Sequence, residues 1–166
     1  MEKIRLFKPW VGKEELNNIK KVFNKSWIGY GPQVHKFEKK FSRFIGTKYA
    51  VAVNSATSAL HIACLALGIG EGDCLWTVPN TFVASANCAI YCGATIDFVD
   101  IDPHTWNLSV PALETKLRNQ LTMGKPLPKV LVPVHFSGQP SEQERIWQLA
   151  QEFGFRVLED ASHSIG

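Results

Sequence analysis

Residues 74–87 read Cys74-Leu75-Trp76-Thr77-Val78-Pro79-Asn80-Thr81-Phe82-Val83-Ala84-Ser85-Ala86-Asn87. The β-rich run Cys74 to Val78 stops at a proline, and Thr81 opens a helix-length segment reaching Tyr91. The same alternation of strand, turn and helix recurs on both sides. Upstream lie a strand Tyr49 to Asn54, a helix Ala56 to Leu67 and a glycine-rich turn, Gly68 through Asp73. Downstream, the Cys92-Gly93 turn leads to a strand Thr95 to Ile101 and a helix Val110 to Asn119. A polar connection, Thr122 to Pro128, then precedes a strand Lys129 to Val134, a turn Ser137 to Pro140, a helix Glu142 to Phe153 and a strand Arg156 to Glu159. Such alternation predicts an α/β fold, a three-layer arrangement in which helices cover both faces of a mainly parallel sheet. Sheets of this kind bind ligands at the carboxyl ends of their strands, so function is sought directly after each strand.

The first 45 residues read differently, as a helical segment set before the α/β part at 46–166. Helical patterns at Lys13 to Phe23 and Val34 to Phe44 flank Trp27-Ile28-Gly29-Tyr30-Gly31-Pro32, whose two glycines and proline forbid one continuous helix. Lys36, Lys39, Lys40, Arg43 and Lys48 are interrupted by Phe37, Phe41 and Phe44, the pattern of an amphipathic helix with a solvated basic face. With a formal net charge of only +3 over 166 residues, that face is no nucleic-acid stripe. A 45% hydrophobic composition suits a soluble chain with a buried core. No apolar run nears the roughly 20 residues of a membrane span, and Met1 to Trp10 lacks a signal-peptide core, so the expected location is the cytoplasm. The four cysteines form no CxxC pair. Cys88 and Cys92 stand one helical turn apart but without a His or carboxylate pattern, so buried thiols are expected and no metal.

Three strand ends carry chemistry. At Asn54-Ser55-Ala56-Thr57-Ser58 a strand passes into a helix through small and hydroxyl residues. The amides of a helix start, the positive end of its dipole and the hydroxyls of Ser55, Thr57 and Ser58 suit a phosphate, though Ser55 also suits an ordinary N-cap. Phe82, read in the first turn of its helix, offers a face for a flat ring, its plain alternative being a core aromatic. Glu159-Asp160-Ala161-Ser162-His163 ends an apolar strand in two carboxylates with a histidine close behind. A pyridinium nitrogen would give a buried Asp160 its partner, and His163 could bond a ring substituent. A metal, a salt bridge or a satisfied loop histidine would account for the same residues.

These stretches, with Val132-Pro133-Val134-His135-Phe136-Ser137-Gly138-Gln139, resemble in order and spacing the DegT/DnrJ/EryC/StrS sugar aminotransferases. The resemblance implies a partial large domain of a fold type I transferase dependent on pyridoxal 5'-phosphate. It implies that Ala56 and Thr57 bind the cofactor phosphate, Phe82 stacks on the pyridine, Asp160 pairs with the ring nitrogen and His163 contacts the phenolic oxygen. Ser26, Trp27, Ile28 and Gly29, together with Ala56, match positions that contact nucleotide-sugar in relatives. Leu6 stands where some relatives have an aromatic. Within the family the likeness is to members that move an amino group from glutamate to C4 of a UDP-linked 4-keto-6-deoxy sugar in pseudaminic acid synthesis. Such enzymes are homodimers.

In the family the Schiff-base lysine follows the Asp160-Ala161-Ser162-His163 segment, and nothing follows Gly166 here, so the chain is expected to hold no catalytic lysine and to be inactive alone. Lys129 and Lys48 precede their strands and so stand at the wrong edge of the sheet. Sheet edges left unpaired by a truncation would also promote self-association. The competing readings are a non-catalytic remnant or binding module, and a sugar dehydratase relative in which histidine replaces the lysine. A nicotinamide-binding domain is disfavoured because no GxGxxG follows any strand.

Overall fold

The computed structural model describes residues 8–165, which form two compact units meeting in sequence at Ala52 and Val53. Leu6 lies outside the described residues.

The first unit is built on two helices. α1 spans Lys13–Asn24 and opens with Glu15 reaching back to the Gly12 amide at 2.6 Å, which satisfies a helix-start donor that would otherwise be unpaired. α2 spans Pro32–Phe44, and its proline sits in the first turn, where the missing amide costs nothing. Between them Trp27 donates its indole N–H to the Tyr30 carbonyl at 3.0 Å. A side chain at Gly31 would run into that indole, which is why the tight approach needs glycine. Glu38 gathers the Ala52 amide at 2.9 Å and the Tyr30 hydroxyl at 3.3 Å. Phe37 and Phe41 stack 5.7 Å apart, yet neither helix buries a residue fully: the amphipathic pattern is real, and Phe37 and Phe44 are exposed along with the basic face.

The second unit is the α/β part. Its elements run α3 (Ala56–Ala66), β1 (Cys74–Thr77), α4 (Ala84–Ile90), β2 (Thr95–Phe98), α5 (Val110–Thr122), β3 (Val130–Val132), a 3-10 turn (Phe136–Gly138), α6 (Gln143–Phe153) and β4 (Arg156–Val157). The strands pair in the order β2-β1-β3-β4, all parallel, with Leu75 beside Val130 and Val130 beside Arg156. Side chains along a strand alternate between faces, and the two cores follow that alternation. Leu75, Val130 and Val132 pack with Leu60 and Cys64 of α3 and Cys88 and Ala89 of α4. Trp76 and Leu131 pack on the opposite side with Leu113 and Leu117 of α5 and Ile146 and Leu149 of α6. The sheet is therefore buried on both faces, the three-layer arrangement that near-continuous apolar strands require. Each fully buried leucine in these layers contributes about 2 kcal/mol by leaving water. All four cysteines are free; Cys64 and Cys88 are buried in the first core, and Cys74 and Cys92 are partly exposed. No described helix is long and apolar enough to cross a membrane.

Two expectations are corrected. Tyr49 to Asn54 forms no strand, because no described segment offers it a ladder of hydrogen bonds, and Tyr49 and Val51 are exposed. α4 begins at Ala84 rather than Thr81, so Phe82 precedes the helix. Thr81 does not cap it: its hydroxyl meets the side chain of Ser85, 2.8 Å away, instead of a backbone amide. The remaining elements fall within a few residues of their expected bounds, with the strands shorter.

Carboxylates held by cations and amides set an expected acid response. Asp73 is held below its ordinary value of 3.8 by Lys129 at 2.8 Å and by the Gly70 amide at 2.9 Å. The Thr105 and His104 amides lower Asp102 in the same way, and Arg118 and then Arg145 lower Glu114. A carboxylate depressed in the folded state stabilises it above the unfolded value, and that stabilisation disappears as pH falls through the folded value. Thermal melts should thus be flat from neutrality to about pH 5 and decline below about pH 4. A melting temperature that rose on acidification through that window would contradict these pairings.

Candidate active site

The cavity at the carboxyl edge of the sheet has a volume of about 460 Å³. Each part of its wall follows a structural reason. The amino end of α3 contributes Ala56, Thr57 and Leu60. Ser55 is the N-cap: its Oγ accepts from the Ser58 amide at 3.1 Å, and its carbonyl accepts from the Ala59 amide. Ser58 in turn donates its hydroxyl to Asn54 at 2.7 Å. The cap thus consumes Ser55 and Ser58, correcting the expectation that both hydroxyls serve a phosphate. Among the described residues the Ala56 and Thr57 amides have no partner, and these are the donors left for an anion.

The turn after β1 supplies Asn80, Thr81 and Phe82, with Phe82 73% exposed, so its ring is not a core residue of this chain. The loop after β3 supplies Val134, His135, Phe136 and Ser137, and the segment after β4 supplies Asp160, Ser162 and His163. The alternation of the β4 extension separates the two carboxylates. Asp160 pairs with Val134 across the sheet, is buried, and accepts on Oδ2 from Ser85 at 2.7 Å and on Oδ1 from Ser162 at 2.6 Å. Glu159 instead lies 3.3 Å from His135 Nε2 and accepts from Gln143 at 2.8 Å. Since His135 Nδ1 accepts the Ser141 amide at 3.1 Å, Nε2 carries the proton and donates to Glu159.

Ala56, Thr57, Phe82, Asp160 and His163 all line this one cavity, though they come from distant parts of the sequence. Ser26, Trp27, Ile28 and Gly29 belong to the first unit, where the last three line a hollow of about 300 Å³ beside α2 and Ser26 takes a left-handed φ of 53°. Sequence reasoning missed Asn107. Its side-chain nitrogen donates to the carbonyls of Gln139 and Pro140 at 3.0 and 3.1 Å, and its oxygen accepts the Phe136 amide at 2.9 Å. That staple holds the loop after β3 against the cavity. The neighbouring Trp106, at φ 64°, signals a special turn only once coordinates are in hand. Gly138 closes the same loop with φ 87°, and a side chain there would come within 2.8 Å of the His163 carbonyl.

A parallel three-layer sheet with a helix start, an exposed aromatic and a buried carboxylate around one cavity at its carboxyl edge defines an α/β domain of the ligand-binding kind. The sequence profile of the DegT/DnrJ/EryC1/StrS aminotransferase family matches residues 9–166, and the chain belongs to that family. It is 44% identical over 157 residues to the spore coat polysaccharide biosynthesis protein SpsC of Bacillus subtilis (strain 168), covering 95% of this chain and 39% of that one. A DegT DnrJ EryC1 StrS aminotransferase from Brucella abortus superimposes with a TM-score of 0.83 at 32% identity, over 89% of this chain and 40% of that one. NtdA from Bacillus subtilis, solved with bound cofactor PMP, gives 0.85 at 31% identity, over 94% and 35%. The chain therefore spans about two fifths of the length of the curated relative, 39%.

Proposed function

We propose that this chain forms the cofactor-cradling part of a pyridoxal-phosphate sugar aminotransferase that takes its amino group from glutamate. The acceptor is C4 of a UDP-linked 4-keto-6-deoxy sugar, of the kind used in pseudaminic acid synthesis, and the reaction belongs to a cytoplasmic homodimer. The observation that carries the reading is the meeting of two unpaired helix-start amides, an exposed Phe82 and a buried Asp160 on one cavity. A further fit is the Asn80 side-chain nitrogen, buried beside the cavity with no partner among the described residues. Its desolvation goes uncompensated until a ligand acceptor arrives. Kinship with a spore coat polysaccharide biosynthesis protein supports a sugar substrate.

The cofactor, when bound, supplies the electron sink for amino transfer. The chain's own residues bind and orient it. Ala56 and Thr57 offer main-chain N–H groups, and Thr57 a hydroxyl, to the phosphate at the positive end of α3. Phe82 stacks on the ring, Asp160 accepts the ring N–H and His163 reaches the phenolic oxygen. Ser26, Trp27, Ile28 and Gly29 of the first unit, and Ala56 of the second, are each assigned to nucleotide-sugar binding. Among the described residues no lysine lines the cavity, and Lys129 is spent at the amino edge on the Gly68 carbonyl and Asp73. The lysine that anchors the cofactor in this reading therefore comes from outside these residues.

Calorimetric titration of the 166-residue chain with pyridoxamine 5'-phosphate tests the cradle. Saturable binding of one ligand per chain is expected, and pyridoxamine without its phosphate should bind about tenfold more weakly, the loss of about 1.4 kcal/mol from the helix-start contacts. Equal binding of the two ligands, or none of either, would remove the phosphate site.

A further inference from the structure

Asp160 is held in place by protein groups alone. Oδ2 accepts from the Ser85 hydroxyl at 2.7 Å, while Oδ1 accepts from the Ser162 hydroxyl at 2.6 Å and its amide at 3.3 Å. Ser85 has a single proton, and Asp160 as a carboxylate can only accept, so that proton goes to Asp160. The 2.8 Å contact between Thr81 and Ser85 must then run the other way, with Thr81 donating. The hydroxyls form a directed chain from Thr81 through Ser85 to the carboxylate.

The two serines differ in what could replace them. Ser162 is exposed and lies on the same loop as Asp160, where water can take over its hydrogen bond. Ser85 has no exposed surface and reaches Asp160 from α4, 75 residues away in sequence. Its neighbours in that helix, Ala84, Ala86 and Ala89, are buried alanines, so the packing alone would accept an alanine at 85. Burying a hydroxyl is costly unless it bonds, and the bond it makes is to Asp160.

Resting on the cofactor reading above, we propose that Ser85, backed by Thr81, is a positioning residue that locks the Asp160 carboxylate so that its remaining acceptor positions stay turned to the cavity for a ring N–H. Each carboxylate oxygen has two acceptor positions, and Ser85 occupies only one on Oδ2. Fixing the plane in advance removes the entropy that a free carboxylate would lose on binding.

The test compares two ligands on the 166-residue chain: pyridoxamine 5'-phosphate, and its analogue in which C–H replaces the ring nitrogen. The unmodified chain should prefer the nitrogen-containing ligand. Ser85→Ala should reduce that preference by roughly tenfold while leaving the affinity for the carbon analogue within about twofold. Ser85→Cys, similar in size but a weak donor, should fall between, and it carries the same comparison should the alanine variant not fold. Equal weakening of both ligands would mean that Ser85 merely packs, and an unchanged preference would mean that it does not position Asp160; either overturns the inference and leaves the cofactor reading standing. If the unmodified chain has no preference to lose, the pairing of Asp160 with a ring nitrogen falls, and the role of Ser85 with it.

Discussion

Replacing Asp160 with alanine should weaken binding of pyridoxamine 5'-phosphate by about a hundredfold, which corresponds to about 2.7 kcal/mol. That figure sits in the upper part of the range of about 1.5–3 kcal/mol for a hydrogen bond to a charged group, because Asp160 is only 8% exposed and water cannot substitute freely. The same change leaves the buried Ser85 hydroxyl without its acceptor, so the fold should also lose stability, by about 1–3 kcal/mol. Asp160→Asn separates the two effects. The amide keeps the size and an acceptor oxygen for Ser85, so most of the stability returns. Its second arm, however, is a donor set against the Ser162 hydroxyl and amide, and it offers no charge to a protonated ring. Titration calorimetry with paired thermal melts reads both quantities. Full binding by a stable Asp160→Asn chain would show that charge at this position is not what the cavity provides.

How much of this was legible without coordinates depends on whether a residue's role was local or long-range. The parallel sheet could be read because its strands are short apolar runs with helices between them, and the pleat sends Leu75 and Trp76 to different cores whatever the loops do. The strand expected at Tyr49 to Asn54 failed for the opposite reason: strand propensity is only the capacity to pair, and no partner is present among the described residues. Phe82 falls in a helix read from Thr81, whereas α4 begins only at Ala84 and the Thr81 hydroxyl is committed to Ser85. Ala56 and Thr57 at the start of α3, Phe82 after β1, and Asp160 and His163 after β4 line one cavity, as expected of groups that topology delivers to the carboxyl edge of a parallel sheet. Ser85 and Asn107 escaped notice because nothing near them in sequence distinguishes a serine among alanines or an asparagine in a turn. Their partners lie 75 residues away for Ser85 and 29 to 33 away for Asn107.

The same distance makes the cavity wall dependent on a residue that does not line it. Asn107 is 3% exposed, and its side chain satisfies three backbone groups of the loop from Phe136 to Pro140, whose first residues form the cavity wall. Asn107→Ala strips the partner from one amide and two carbonyls at once. Unmade hydrogen bonds to buried groups cost about 1–3 kcal/mol each, less where water enters, so a total loss of about 2–4 kcal/mol is expected. At about 2–4 °C per kcal/mol for a chain of this size, the melting temperature should fall by roughly 10 °C. Asn107→Asp decides whether the staple is specific. An aspartate keeps the acceptor for Phe136 but turns a second negative oxygen toward the Gln139 and Pro140 carbonyls, where a donor is needed. It should therefore be at least as destabilising as alanine despite its nearly identical shape, and the penalty should shrink at low pH as the carboxyl gains a proton to donate. Equal stability of the aspartate variant and the unmodified chain near neutral pH, measured by chemical denaturation, would mean that this loop is held by something other than Asn107.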